Sequence, residues 1–214
     1  MHMASTNTKH DILCRAEIAL LIAALANANN IAGCNVNEMF IRYNAHSILI
    51  QMLRGNFETE NASSGSITQK DVSPSLCMQQ NLTFNVCKRA QENAIDALSR
   101  LAEDYMRCVP PLIEAGTLPA IISLISRFDH PTDPVSIPIL HCALKTISAM
   151  ASYPSEVYHR LILEAKATEH LLRIGCSFKL EMLKSKQVAL GSKSLGEIAR
   201  DTMRCLSEYR NASK

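Results

Sequence analysis

The sequence predicts an all-α fold made from a repeated helical unit, and three observations carry that expectation. Ala, Leu, Ile and Met dominate the apolar residues, while aromatic residues make up 5% of the chain and Trp is absent. Straight-chain residues keep their rotamer freedom in a helix, whereas β-branched and aromatic ones suit a pleated surface, so this balance favours helices. Three segments align without gaps around a tight corner. Longer stretches with apolar residues at i, i+3 and i+4 follow those corners, the period of a helix with one buried face. At 214 residues and 47% hydrophobic, the chain has enough apolar material for one continuous core or a row of small stacked ones.

The aligned segments are 40–53, 111–125 and 162–174, with Asn44, Gly116 and Lys166 in register. In each, a short apolar helix is expected to stop at the corner and a second, amphipathic helix to begin. Gly and Asn suit the left-handed backbone such a corner needs, because a Cβ disfavours it, and Pro119 stands where a new helix can start. The long stretches are 85–105, with Ala90, Ala94, Ala97, Leu98, Leu101 and Ala102; 135–152, with Leu140, Ala143, Leu144, Ile147, Met150 and Ala151; and 187–209, with Ala189, Leu190, Leu195, Ile198, Ala199, Met203 and Leu206. Residues 12–28 read as a fourth such helix without a preceding pair.

The pattern Glu114-Ala-Gly-Thr-Leu-Pro-Ala-Ile-Ile-Ser-Leu-Ile125 resembles the armadillo-repeat pattern E-A-G-A-I-P-x-L-V-x-L-L. Residues 90–102, Ala-Gln-Glu-Asn-Ala-Ile-Asp-Ala-Leu-Ser-Arg-Leu-Ala, resemble the third helix of that repeat, and HEAT repeats are its nearest neighbour in pattern. The resemblance implies a right-handed α-α superhelix, an armadillo-type solenoid of about three repeats plus an N-terminal helix. One domain is expected over 6–214, after five residues that resemble a cloning leader. The corners lie 72 and then 50 residues apart, against ~40–47 residues for such repeats. The excess is expected in a long mobile loop at 55–82, rich in Ser and Gly, and in a shorter proline-punctuated loop at 128–134.

Charge and cysteine usage narrow the function classes. The formal net charge is +2, with a mildly basic end over 179–214, which gives no strong pull toward nucleic acid or an anionic membrane. The longest strongly apolar run, 18–26, is half the ~18 residues a bilayer span needs. Eight cysteines are scattered with no Cys-x-x-Cys pair, which reads as reduced thiols of a cytoplasmic protein. The sequons at Asn61, Asn81 and Asn211 are read as chance on that footing. His141, Cys142, His159, His170 and Cys176 match no zinc spacing, and no glycine-rich phosphate loop occurs. The expectation is therefore no enzyme, no metal and no cofactor. The alternatives are a cysteine- and histidine-dependent enzyme whose site assembles only in the fold, or an RNA-binding helical repeat.

The resemblance places partner binding on the concave surface lined by the third helices, where an extended peptide or a helix of another protein would lie. Importin-alpha-like domains carry a Trp and, one turn later, an Asn on each third helix. The matching pairs here are Ala23 and Asn27, Asp96 and Arg100, Lys145 and Ala149, Asp201 and Cys205. One Asn matches and no Trp does, so a nuclear-import receptor is not expected. The candidate partner-binding residues are Asn27, Glu92, Asp96, Arg100, His141, Lys145, Glu197 and Asp201. A second candidate surface is the N-terminal helix, whose Ile18, Leu21, Ile22 and Leu25 call either for capping or for self-association into a homo-oligomer. The expected role is an adaptor or scaffold in the cytoplasm, associated with the cytoskeleton or cilium, as one domain of a longer protein.

Overall fold

The computed structural model describes residues 3–32, 36–55, 74–128, 136–181 and 194–212, and among them every regular element is an α-helix. Three short helix pairs surround the corners. They are α2 (Val36–Arg42) with α3 (Ala45–Arg54), α5 (Tyr105–Glu114) with α6 (Thr117–Phe128), and α8 (Glu156–Glu164) with α9 (Ala167–Glu181). Asn44, Gly116 and Lys166 take φ of 59°, 80° and 58°, so all three corners turn through the left-handed region. Their hydrogen bonds repeat as well. The corner N–H donates to the carbonyl three residues back, Asn44 to Ile41, Gly116 to Ile113 and Lys166 to Leu163, at 3.0–3.1 Å. The N–H just before each corner donates four residues back, Tyr43 to Met39, Ala115 to Pro111 and Ala165 to Leu161. Ser47 and Glu169 then donate to the corner carbonyls; at the equivalent middle position stands Pro119, which has no N–H to give.

Four long helices alternate with these pairs: α1 (Met3–Ala32), α4 (Pro74–Glu103), α7 (Ser136–Ser152) and α10 (Leu195–Ala212). Contacts run α1 to α4, α4 to α7 and α7 to α10, and in parallel α3 to α6 and α6 to α9. In both rows a helix thus packs on the one three elements later, and one apolar core continues along them. The α1 and α4 faces that meet are built from alanine. Ala16, Ala19, Ala23 and Ala26 are buried on α1 and Ala90, Ala94 and Ala97 on α4, which lets two backbones approach closely. Larger side chains fill the interior elsewhere, among them Leu53, Leu98, Leu112, Ile121, Leu124 and Ile139.

Polar side chains close the end of α3. The Leu53 carbonyl accepts from Gln91 Nε2 of α4 at 3.1 Å and from Arg127 Nη2 of α6 at 2.6 Å, while Gly55 leaves the helix at φ 71°. A carbonyl in the last turn of a helix has no partner in its own helix, so donors from two other helices supply one.

Several boundaries differ from the sequence-based expectation. Residues 74–82 of the expected 55–82 loop belong to α4, and 56–73 lie outside the described residues. Of the expected 128–134 loop, Phe128 ends α6 and the rest lies outside the described residues. Residues 3–5 of the expected leader are part of α1, and the last long helix is described from Leu195. Helical backbone hydrogen bonds satisfy polar residues such as Gln79, Gln80 and Asn81 as well as apolar ones, so a missing apolar stripe understated α4.

Candidate partner-binding face

The eight candidate residues fall on the four long helices: Asn27 on α1; Glu92, Asp96 and Arg100 on α4; His141 and Lys145 on α7; Glu197 and Asp201 on α10. The structure joins some of them. Arg100 Nη1 donates to Asn27 Oδ1 at 3.1 Å, which links α4 to α1. Arg100 Nε also lies 3.4 Å from Asp96 Oδ1 one turn away. The same Asp96 oxygen accepts the Cys142 thiol of α7 at 3.7 Å. Asn27, Arg100, Asp96 and Cys142 therefore form one connected polar strip across three helices. Burial first, and then the Asp96 carboxylate, push the Cys142 thiol up to about 12, against a smaller opposing pull from Lys145 and Arg100. Arg100 and Asp96 are half-buried, and Lys145 beside them is exposed.

Glu197 also caps its own helix. Its Oε2 accepts from the Ser194 N–H at 2.8 Å and from the Ser194 hydroxyl at 2.9 Å, while its own N–H donates to Ser194 Oγ at 3.3 Å. This is a capping box at the start of α10, and those bonds hold the Glu197 carboxyl below the usual range. The signal was in the sequence as Ser194-x-x-Glu197. Asp201 pairs with Arg204 one turn on at 3.1 Å. On α1, Ile22 belongs to the core at 7% exposure, so it is no part of the candidate capping or self-association surface. Ile18, Leu21 and Leu25 are open at 53%, 59% and 41%. A helical face is about a third of a turn wide, so the residue next to Leu21 in sequence points about 100° away and reaches α4.

Two further α1 to α4 links have no local signal in the sequence. Arg89 Nη2 pairs with Glu17 at 2.8 Å, and Asn93 Nδ2 donates to the Ala16 carbonyl at 2.8 Å. Their partners lie 72 and 77 positions apart, and only folding brings them together.

Two histidines and one cysteine make contacts of their own within the fold. Arg173 Nη2 donates to His170 Nδ1 at 3.0 Å, which makes Nδ1 the acceptor and leaves the ring proton on Nε2, 3.4 Å from Ser126 Oγ. A nitrogen that carries its proton toward the hydroxyl cannot take the proton from it. His159 directs both ring nitrogens at carbonyl oxygens, of Ser155 and Ala151, each at 2.6 Å, and the Cys205 thiol donates to that same Ala151 carbonyl at 3.2 Å. Burial raises the Cys108 thiol to about 12 and pushes Cys87 and Cys205 upward too, so the thiolate is suppressed at all three. Among the described residues no three His, Cys, Asp or Glu side chains gather where they could hold a metal ion. No single described helix is long and apolar enough to cross a membrane. No family model, curated protein or solved structure matches the chain.

Proposed function

We propose that the chain is a non-enzymatic protein-interaction module of armadillo type, a right-handed α-α superhelix of about three repeats with α1 as a leading helix. It binds a peptide or helix of another protein along the surface presented by α1, α4, α7 and α10. One observation carries this reading: a left-handed corner occurs three times with the same two hydrogen bonds at the same spacing, each time between two short helices of the same order. Contacts that pass from each unit to the next are what a solenoid requires, since every repeat buries its apolar face on its neighbours.

The polar strip supports the choice of surface. Asp96 and Arg100 are fixed by Asn27 and Cys142, so a partner that pairs with them orders little that is not already ordered. The Arg100 guanidinium has more N–H donors than Asn27 and Asp96 take up, and a partner carboxylate is the group that fits the remainder. Lys145 adds a second cation one helix away. A peptide or helix bearing carboxylates at matching intervals is the partner chemistry this surface favours. The setting in this reading is the cytoplasm, where eight cysteines without a paired spacing stay reduced.

The test is a cross-linking capture of partners on the full chain, repeated with the double variant Asp96→Lys, Arg100→Glu. The expected outcome is at least a tenfold loss of the captured partners, equivalent to ~1.4 kcal/mol. Capture that is unchanged would sink the assignment to this face. Retention of RNA that falls steeply as salt rises would favour the helical-repeat alternative instead.

A further inference from the structure

Beyond the partner face, α1 carries a second stripe that stands open among the described residues. Cys14, Ile18, Leu21 and Leu25 are exposed, and Leu20 beside them is open as well. Their spacing along the helix is four, three and four, the period of the seam between two helices wound around each other. The face that packs on α4 is the other one, with Ile12, Ala16, Ala19, Ile22, Ala23 and Ala26. Ile18, Leu21 and Leu25, each about half open, offer together with Cys14 an apolar patch on the order of 300 Å², within the ~300–600 Å² of the largest patch on a typical monomer.

Charge selects what covers it. No charged residue occurs between Ile18 and Ala32. The charges just before the seam are already paired, Arg15 with Asp11 at 2.9 Å and Glu17 with Arg89 at 2.8 Å. Among the described side chains this surface has no unpaired cation with which to meet an anionic bilayer or a nucleic acid. At the other end of the helix row, α10 exposes Glu197, Arg200, Arg204 and Glu208. Stacking α10 of one copy on α1 of the next would press charges onto hydrocarbon, at a desolvation cost nothing offsets. In the row α1, α4, α7 and α10, the surface that matches the α1 seam is the α1 seam.

We infer that two copies of the chain pair through α1, antiparallel about a two-fold axis, with Ile18 opposite Leu21 and Cys14 opposite Leu25 of the second copy. This register uses all four seam residues. It also sets the charged turn 11–17 of each copy against the uncharged turn 22–28 of the other, whereas a parallel pair would oppose Arg15 to Arg15 and Glu17 to Glu17. The seam buries on the order of 600 Å² counting both copies, less than the ~1,200–2,000 Å² of a stable interface, so the pair dissociates on dilution.

Sedimentation of the full chain tests this, from about 1 µM to about 200 µM, a range that brackets a micromolar equilibrium. The mass doubles across the range. Leu21→Glu, and separately Ile18→Lys, remain monomeric at the highest concentration with an unchanged helical circular-dichroism spectrum. Leu25→Cys then probes the register. Within one chain, positions 14 and 25 lie ~16 Å apart along the helix, too far for a disulfide. Mild oxidation therefore gives a covalent dimer on a non-reducing gel, and adding Cys14→Ser removes it. A native chain that stays monomeric overturns the pairing, and flotation of that monomer with phosphatidylcholine vesicles would give the seam to a bilayer instead. A dimer that persists in both charge variants also overturns it, and a covalent dimer that survives Cys14→Ser overturns the register.

Discussion

α1 and α10 stand at the two ends of one row of helices, each packed on a single long neighbour, and they are made differently. α10 buries Leu195, Ile198, Ala199, Thr202 and Leu206, exposes Glu197, Arg200, Arg204 and Glu208, and begins with its own capping box. α1 buries mainly alanine and exposes Ile18, Leu20, Leu21 and Leu25. α10 has large residues inside and charge outside, the division of an amphipathic helix that faces water. The other has small residues inside and large ones outside, the arrangement of an element that is covered on both sides. The difference separates a helix whose outer face is charged from one whose outer face is apolar.

Substitutions can break that comparison in opposite ways. Ile198→Ala, on the large-residue side of α10, should cost ~2–4 kcal/mol of unfolding free energy in urea titration, since it removes buried aliphatic volume and leaves a cavity. Ala19→Leu on α1 fails for the opposite reason. The added volume has no room against the alanine face of α4 and should cost ~1–3 kcal/mol, whereas the same change on the exposed side of the helix would be silent. A midpoint for Ala19→Leu equal to that of the native chain would mean that α1 does not sit closely on α4.

Smaller effects sharpen the contrast at the helix starts and corners. Lys166 holds a left-handed φ of 58° that a side chain disfavours, so Lys166→Gly should stabilise the chain by ~0.5–1 kcal/mol, while the same corner at Gly116 offers nothing to gain. The α10 cap predicts a pH dependence with a definite sign. Folding lowers the Glu197 carboxyl below its ordinary 4.5, so its contribution is full above pH 4.5 and disappears as the pH falls through the lowered value. Thermal midpoints of the native chain and Glu197→Gln should differ near neutrality and converge in acid. Midpoints that run parallel from pH 7 to 3 would remove the carboxylate from the cap.

What could be read from the sequence was local. The corners at Asn44, Gly116 and Lys166 announced themselves, because a tight helix-to-helix turn needs a left-handed residue and the flanking apolar spacing fixes where. The stripes of α4 and α7 were legible for the same reason, that the buried face repeats every turn. The start of α4 was not, since polar residues such as Asn81 and Thr83 join a helix without leaving a stripe. In the candidate face, Asn27, Asp96 and Arg100 came together as a helix ladder would have them. Cys142, the fourth member of that strip, entered the sequence reading only as part of a set that matches no zinc spacing, and the Glu17 to Arg89 pair had no marker at all. Glu197 has in addition a capping role, legible in its three-residue spacing from Ser194.

The end of α3 has a consequence for how the chain is made. The Leu53 carbonyl waits for donors at Gln91 and Arg127, 38 and 74 positions downstream. During synthesis at ~5–20 residues per second, the second donor reaches the peptidyl-transfer centre on the order of 4–15 s after Leu53 does. Gln91 and the alanine face of α4 are made about halfway through that interval, so the end of α3 gains its first donor well before its second.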